Sequence, residues 1–118
     1  MKLFRFDPEV GRTIGDYQSS GFVISRVAHL FDEATINCAY LDSNGLIGYH
    51  QAANSQLFLV IQGEGWVRGE SPDKTSIQAG QAAYWNKAEW HESGTETGMI
   101  AMIIEGVDVD PTKLMPPV

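Results

Sequence analysis

Three histidines and one glutamine have side chains suited to holding a metal ion or a small molecule: His29, His50, His91 and Gln56. An imidazole nitrogen can ligate a divalent metal or bond a polar ligand. His29 lies apart from the other three, and we expect it to be an ordinary core or surface histidine. Cys38 is the only cysteine, which excludes an internal disulfide and a cysteine-rich zinc site. We expect Cys38 to be buried and unreactive.

The surroundings of His50 resemble the first motif of the cupin superfamily, in which two histidines one residue apart, a glutamate and a closing glycine recur. In the segment 45–63, His50 falls on the first histidine and Gly63 on the closing glycine. Ala52 falls on the second histidine and Gln56 on the glutamate. Alternate residues of a strand share one face, so a histidine pair of this spacing would point the same way.

The surroundings of His91 resemble the second cupin motif. Gly80 and His91 are in register with that motif, whereas Asn86 replaces its proline, Ala88 its second glycine and Thr95 its final asparagine. Together the two motifs are similar to those of small single-domain bacterial cupins, with an RmlC-like jelly-roll fold and a degenerate metal motif. The resemblance covers roughly residues 34–105.

The pattern of short strands and frequent turns supports the same fold class. Runs rich in β-branched and aromatic residues alternate with glycine- and asparagine-containing turns, which is typical of a sandwich or barrel. We therefore predict one all-β domain over residues 1–118, a small jelly-roll β-barrel, with residues 1–20 and 106–118 as peripheral segments. The predicted strands are Val23–Leu30, Ala34–Leu41, Ile47–His50, Leu57–Gln62, Trp66–Gly69, Lys74–Gln78, Ala82–Trp85, Trp90–Glu92 and Met99–Glu105.

The resemblance implies a functional site inside the barrel. The implied cofactor is a divalent ion (zinc, iron, manganese or nickel), with His50 and His91 as nitrogen ligands and Gln56 as a candidate third ligand. Ala52 cannot ligate a metal and Gln56 offers only a neutral amide, so this site would bind metal less tightly than the full motif. Aromatic residues are expected to line the ligand pocket: Tyr40, Tyr49, Phe58, Tyr84 and Trp85.

Composition limits the partners. The chain has 118 residues, of which 43% are hydrophobic and 19% charged, with a formal net charge of −7. This acidic balance disfavours nucleic acid and anionic membranes as partners, and no apolar run approaches the roughly 20 residues of a membrane span. We expect a cytoplasmic protein. Leu57–Ile61 and Met99–Ile104 are apolar on both faces, so a second layer or a partner subunit should cover them, and a homodimer is expected.

Three functions remain open at this point. The first is a protein that binds a small molecule in the barrel with a reduced histidine site. The second is a metal-dependent enzyme, resembling cupin dioxygenases or isomerases, that uses His50 and His91. The third is a structural or regulatory dimer with a vestigial pocket. The motifs identify no catalytic residue, because a fold by itself does not define a reaction.

Overall fold

The computed structural model describes residues 1–118 as ten strands and two short 3-10 turns, Pro8–Val10 and Asp16–Gln18. None of its helices is long and apolar enough to cross a membrane. The strands are β1 Lys2–Arg5, β2 Arg12–Thr13, β3 Val23–Ile24, β4 Ala34–Leu41, β5 Leu46–Gln51, β6 Ser55–Arg68, β7 Thr75–Gln78, β8 Gln81–Trp85, β9 Trp90–Gly94 and β10 Met99–Gly106.

The strands form two antiparallel sheets that share β6. The first sheet has the order β1-β8-β6-β10-β4, and in the second β6 pairs with β7 and β9, and β9 with β5. A separate ribbon joins β2 to β3. Two antiparallel sheets joined in this way are typical of a small jelly-roll. The predicted all-β jelly-roll is therefore confirmed.

The long strand β6 crosses from one sheet to the other at Gly63. Its first half, residues 55–63, pairs with β10, and its second half pairs with β7 from Glu64 to Val67. Gly63 has a φ of 85°, which favours glycine. The sequence predicted two strands separated by a turn here. The structure instead continues as one strand, because the glycine bends the chain without ending its hydrogen bonding.

Alternate residues of these strands fill the space between the sheets. Phe58 and Val60 of β6 point inward, together with Trp85 of β8. Because alternate side chains of a strand point to opposite faces, this inner face also defines the outer one. The inner core consists of Phe58, Val60, Val67, Ile77, Ala83, Trp85, Met99 and Ala101.

The outer face of the first sheet is covered by the C-terminal segment and by residues 27–30. Val109 and Met115 pack with Leu57 and Leu59 in a second core, to which Phe4 of β1 also belongs, and Val27, Ala28 and Leu30 pack against it. The segments 1–20 and 106–118, predicted to be peripheral, thus contribute buried side chains. The C-terminal segment supplies part of the second layer over β6, so no partner subunit is required at that position.

Two strand predictions differ from the structure for a common reason. The predicted strand Val23–Leu30 is reduced to Val23–Ile24, and β1 was not predicted. Residues 25–30 have no neighbouring strand with which to pair, whereas Lys2–Arg5 pairs with β8 throughout. The availability of a pairing partner, rather than residue propensity, decides both cases.

Strand β4 forms an edge of the first sheet and pairs only with β10. Cys38 lies in this strand and is exposed, so the expectation that it is buried was wrong. Ile36 and Tyr40 lie on the same face as Cys38 and are also exposed. The sequence of β4 is typical of a buried strand, but its position at the edge leaves it uncovered.

Replacing Gly63 should destabilise the fold. A Cβ atom at this position would overlap the carbonyl oxygen of Gly98, and the positive φ adds strain. We expect Gly63→Ala to lower the free energy of unfolding by about 2–4 kcal/mol in urea denaturation. Gly48→Ala is the matched control, because a Cβ there meets nothing within 4 Å. Equal stability of the two variants would contradict the role assigned to Gly63.

Candidate functional site

The two motif histidines form a pair across neighbouring strands. His50 of β5 lies directly opposite His91 of β9, and their ring centroids are 4.4 Å apart with an interplanar angle of 56°. His91 is 2% exposed, whereas His50 is exposed. A register shift in β5 between Ile47 and His50 brings the two histidines into register. The sequence prediction that these two residues meet is thus matched by the geometry.

Both imidazoles are oriented by the backbone through the same ring nitrogen. Nδ1 of His50 lies 2.6 Å from the carbonyl oxygen of Gly48, and Nδ1 of His91 lies 3.3 Å from that of Glu89. A carbonyl only accepts hydrogen bonds, so in neutral rings the proton sits on Nδ1. Nε2 of each ring then carries the free lone pair, which is the arrangement that ligating histidines adopt.

A row of four side chains crosses the first sheet below the histidines. Trp85 of β8 lies opposite Gln56 of β6, which lies opposite Glu105 of β10, and Glu105 lies opposite Thr35 of β4. Residues paired across antiparallel strands share one face. This inward-facing set, Trp85–Gln56–Glu105–Thr35, is called the inner row below.

Glu105 supplies a carboxylate that the motif comparison did not identify. The amide nitrogen of Gln56 donates a 3.0 Å hydrogen bond to Oε2 of Glu105, and Gln56 is 7% exposed. The glutamate of the motif is thus replaced at position 56, and an acid stands beside it on β10. A sequence signal existed: Glu105 continues the alternation of Ala101 and Ile103 on one face of an apolar strand.

Trp85 joins the inner row to the histidine pair. Its ring stacks on that of His91, with centroids 4.4 Å apart and an angle of 24°, and meets Phe58 edge-on. Trp85 is fully buried, and its indole Nε1 has no hydrogen-bond partner in the protein. Only one other buried side-chain atom, Oδ1 of Asp108, also lacks a partner. Such groups are rare in proteins because each costs about 1–3 kcal/mol.

Burial sets the protonation state of His91. Removal from water lowers its pKa below the ordinary value near 6.5. The hydrogen bond with the Glu89 carbonyl opposes this, His50 lowers the pKa further, and the charges of Glu105 and Glu89 raise it to a smaller extent. Burial disfavours the charged imidazolium. The imidazole is therefore neutral at neutral pH, as a ligand or hydrogen-bond acceptor must be.

The donor set around the histidines fits a protein-held metal ion incompletely. Resident metals in such sites usually have three or four protein ligands. No group of three or more histidine, cysteine, aspartate or glutamate side chains lies close enough together to hold one. His50 and His91 would supply two nitrogens, and Gln56 the oxygen of an amide whose nitrogen is bound to Glu105.

The five aromatic residues predicted to line a pocket do not share one surface. Phe58 and Trp85 are in the inner core, and Tyr84 packs against the outer core. Tyr40 is exposed on the outside of the edge strand, and Tyr49 stacks on Trp90 beneath Arg68, on the outside of the second sheet. The structure brings together only Phe58 and Trp85 of the five, because aromatic residues suit either face of a strand. That these two line a ligand pocket stays a prediction.

The histidine that lies outside the motifs stays outside the site. His29 is exposed and stacks on Phe31, with ring centroids 4.5 Å apart. Neither residue belongs to the inner row or to the histidine pair. The expectation that His29 is an ordinary surface histidine agrees with this position.

Two cavities open near opposite ends of β8 and β10. One of about 470 Å³ is lined by Glu105 of the inner row together with Thr35 and Asn54. A larger one of about 550 Å³ includes Gln81, at the far end of β8, and Trp66. Trp66 is covered by Gly94 on one side and Lys74 on the other. Thr35 and Glu105 of the inner row line the smaller of these two cavities, whereas Trp66 and Gln81 of the larger one lie outside the inner row.

Comparison with known proteins identifies the fold. The sequence matches no protein-family model and has no significant similarity to a curated protein. A cupin superfamily protein from Desulfitobacterium hafniense is 14% identical, with a TM-score of 0.60 over 76% of this chain and 82% of that chain. An RmlC-like cupin from Shewanella frigidimarina is 20% identical, with a TM-score of 0.58 over 62% of this chain and 65% of that chain. A predicted oxalate decarboxylase from Thermotoga maritima is 18% identical, with a TM-score of 0.52 over 65% of this chain and 64% of that chain.

The likeness to these structures and the two sheets sharing β6 define the class of fold. The chain is a small all-β jelly-roll of the cupin type. Its particular form of that fold has one histidine on each of β5 and β9, an alanine at position 52 and an acid on β10.

The burial of His91 should make stability depend on pH. The unfolded chain binds a proton at this residue near pH 6.5, whereas the folded protein resists protonation because the pKa is lowered. The unfolded state therefore binds more protons in this range, and the free energy of unfolding rises with pH. We expect stability to fall as the pH drops below about 6.5 and this loss to level off at the lower pKa of folded His91.

Urea denaturation across this pH range measures the effect. The variant His91→Gln should lack the part of the pH dependence of the free energy of unfolding that comes from His91. The control His29→Gln should retain that part. Parallel profiles for His91→Gln and the unchanged protein would contradict the assignment.

Proposed function

We propose that this domain binds a small organic molecule in the barrel, between the inner row and the His50–His91 pair. The observation that carries the proposal is the buried indole N–H of Trp85, which has no partner in the protein. A buried donor without an acceptor lowers stability. A bound ligand that offers an acceptor to Trp85 would remove this cost.

The surroundings of Trp85 supply the other properties of a binding site. The imidazole of His91 is buried and neutral, and its ring stacks on the indole. Gln56 and Glu105 provide polar atoms next to these apolar rings. Small-molecule sites typically combine apolar walls with a few convergent polar groups.

We propose that the ligand reaches this site through the cavity that Glu105 lines. Its volume of about 470 Å³ lies within the range of roughly 300–1,000 Å³ typical of ligand pockets. Thr35 and Asn54 contribute polar groups to its wall. A ligand entering there would meet Glu105 first and the inner row beyond it.

Metal-dependent enzyme activity is the second candidate function. Its support is the orientation of both imidazoles, whose Nδ1 atoms lie against backbone carbonyls and whose Nε2 atoms are left for a ligand. A divalent ion on these atoms would act as a Lewis acid. We rank this function second because the chain supplies two imidazoles and no neighbouring third histidine, cysteine or carboxylate.

Analysis of protein purified without tag or chelator separates the two functions. We expect metal well below one ion per chain by elemental analysis. We also expect an organic molecule, released on denaturation, by mass spectrometry. His91→Ala should lose this molecule and His29→Ala should retain it, because His29 lies outside the site.

The opposite pattern would support the metal-dependent function. Near-stoichiometric metal that disappears in the double variant His50→Ala, His91→Ala would overturn the ranking. Equal retention of the organic molecule in the His91→Ala variant would contradict the proposed location of the site.

We also propose that the chain forms a homodimer through β4. This strand has a free edge and carries no charged residue. Its residues Ile36 and Tyr40 are 60% and 75% exposed to solvent. In proteins that remain monomers, exposed edge strands are usually protected by charged residues or proline. The same apolar face continues across β10 into the outer core through Met102 and Ile104. A second copy of β4, itself uncharged, would cover this face under two-fold symmetry.

Light scattering after size-exclusion chromatography tests the dimer. We expect a mass of twice the 13.0 kDa chain. Ile36→Lys should give the single-chain mass, because a charge would be buried in the interface. Val118→Lys is the control, since Val118 is 62% exposed and lies at the end of the chain. A monomeric unchanged protein, or a dimeric Ile36→Lys variant, would contradict the proposal.

A further inference from the structure

The cavity that Thr35 and Glu105 of the inner row line is strongly acidic. Asp32, Glu33 and Glu105 line it, and no lysine or arginine does. None of the three carboxylates forms an ion pair with a basic group of the chain. The inner row adds no lysine, arginine or histidine either. A ligand in this site therefore meets negative charge without a compensating cation.

Glu105 is placed to contact that ligand directly. Its Oε2 accepts the hydrogen bond from Gln56, whereas Oε1 has no partner in the protein. Oε1 is not among the buried atoms that lack a partner, so it is accessible, and Glu105 lines the cavity. The bond from Gln56 fixes the carboxylate with one oxygen free. The inner row thus offers a free acceptor on Glu105 and a free donor on Trp85.

We propose that Glu105 makes this site selective for organic cations that carry N–H donors for its carboxylate and a separate acceptor for the indole of Trp85, such as amidinium or primary ammonium compounds with an ether or hydroxyl oxygen. The inference rests on the proposed small-molecule function and names the class of ligand. A charge-assisted hydrogen bond to a carboxylate is about twice as strong as a neutral one. Carboxylate ligands are disfavoured, because three like charges surround the same cavity and no basic side chain offsets them.

The selectivity can be measured with three probes of nearly the same shape, the 4-methoxy derivatives of benzamidine, benzamide and benzoate, which share an ether oxygen as acceptor for Trp85 and are a cation, a neutral amide and an anion at neutral pH. Each probe is named by its parent compound below. Titrations are followed by NMR through the indole N–H of Trp85, assigned with Trp85→Phe, and the backbone amides of Gln56 and Glu105. We expect benzamidine to bind about 10- to 100-fold more tightly than benzamide. Benzoate should bind more weakly than either.

The variant Glu105→Gln tests the residue itself. It removes the charge, keeps the size, and leaves an amide oxygen to accept the bond from Gln56. We expect this variant to bind benzamidine and benzamide with similar affinity. Glu33→Gln is the matched control, because it makes the same change in the same cavity at an exposed residue outside the inner row. This control should keep most of the preference for benzamidine.

Each outcome bears on one of the two proposals. Tighter binding of benzamide or benzoate than of benzamidine to the unchanged protein would overturn the cation selectivity and leave the small-molecule site in place. A preference that survives Glu105→Gln would overturn the role of Glu105. If none of the three probes shifts the inner-row resonances, the small-molecule site fails and the selectivity fails with it. The comparison of probes on the unchanged protein does not depend on any variant folding.

Discussion

The structure depends on one strand belonging to two sheets. β6 pairs with β8 and β10 before Gly63 and with β7 and β9 after it, so a single bend holds the sheets face to face. Because side chains alternate along a strand, this bend fixes which residues point into the barrel. The inner core, the inner row and the histidine pair all follow from that placement. A residue with a Cβ at the bend would collide with the backbone carbonyl of Gly98 in the same chain.

Two features characterise the interior of this barrel around the candidate site. Trp85 is stacked on His91 and fully buried, so a large aromatic ring lies directly against one of the two imidazoles. At the same time the acid expected at position 56 is replaced by Gln56, which is held by Glu105 of the adjacent strand. The carboxylate next to position 56 therefore comes from β10. The inner row has a free acceptor on Glu105 and a free donor on Trp85.

Much of the fold and part of the site could be predicted from the sequence, and the remainder could not for identifiable reasons. Comparison with the two cupin motifs identified His50 and His91, because residues at matching motif positions occupy equivalent places in the same fold. It missed Glu105, whose importance comes from lying beside Gln56 across strands 49 residues apart in the chain. It also grouped Tyr40, Tyr49 and Tyr84 with Trp85, although they lie on different faces of the sheets.

The sequence by itself determined the all-β class and most of the strands, because alternation and turn residues are local properties of the chain. Tertiary structure alone decided that the C-terminal segment packs on the outer core, that β4 is an exposed edge, and that a carboxylate from β10 lies beside Gln56. Each of these depends on which strands become neighbours. Pairing partners lie far apart in the chain, and local patterns carry no information about which of several similar strands will meet.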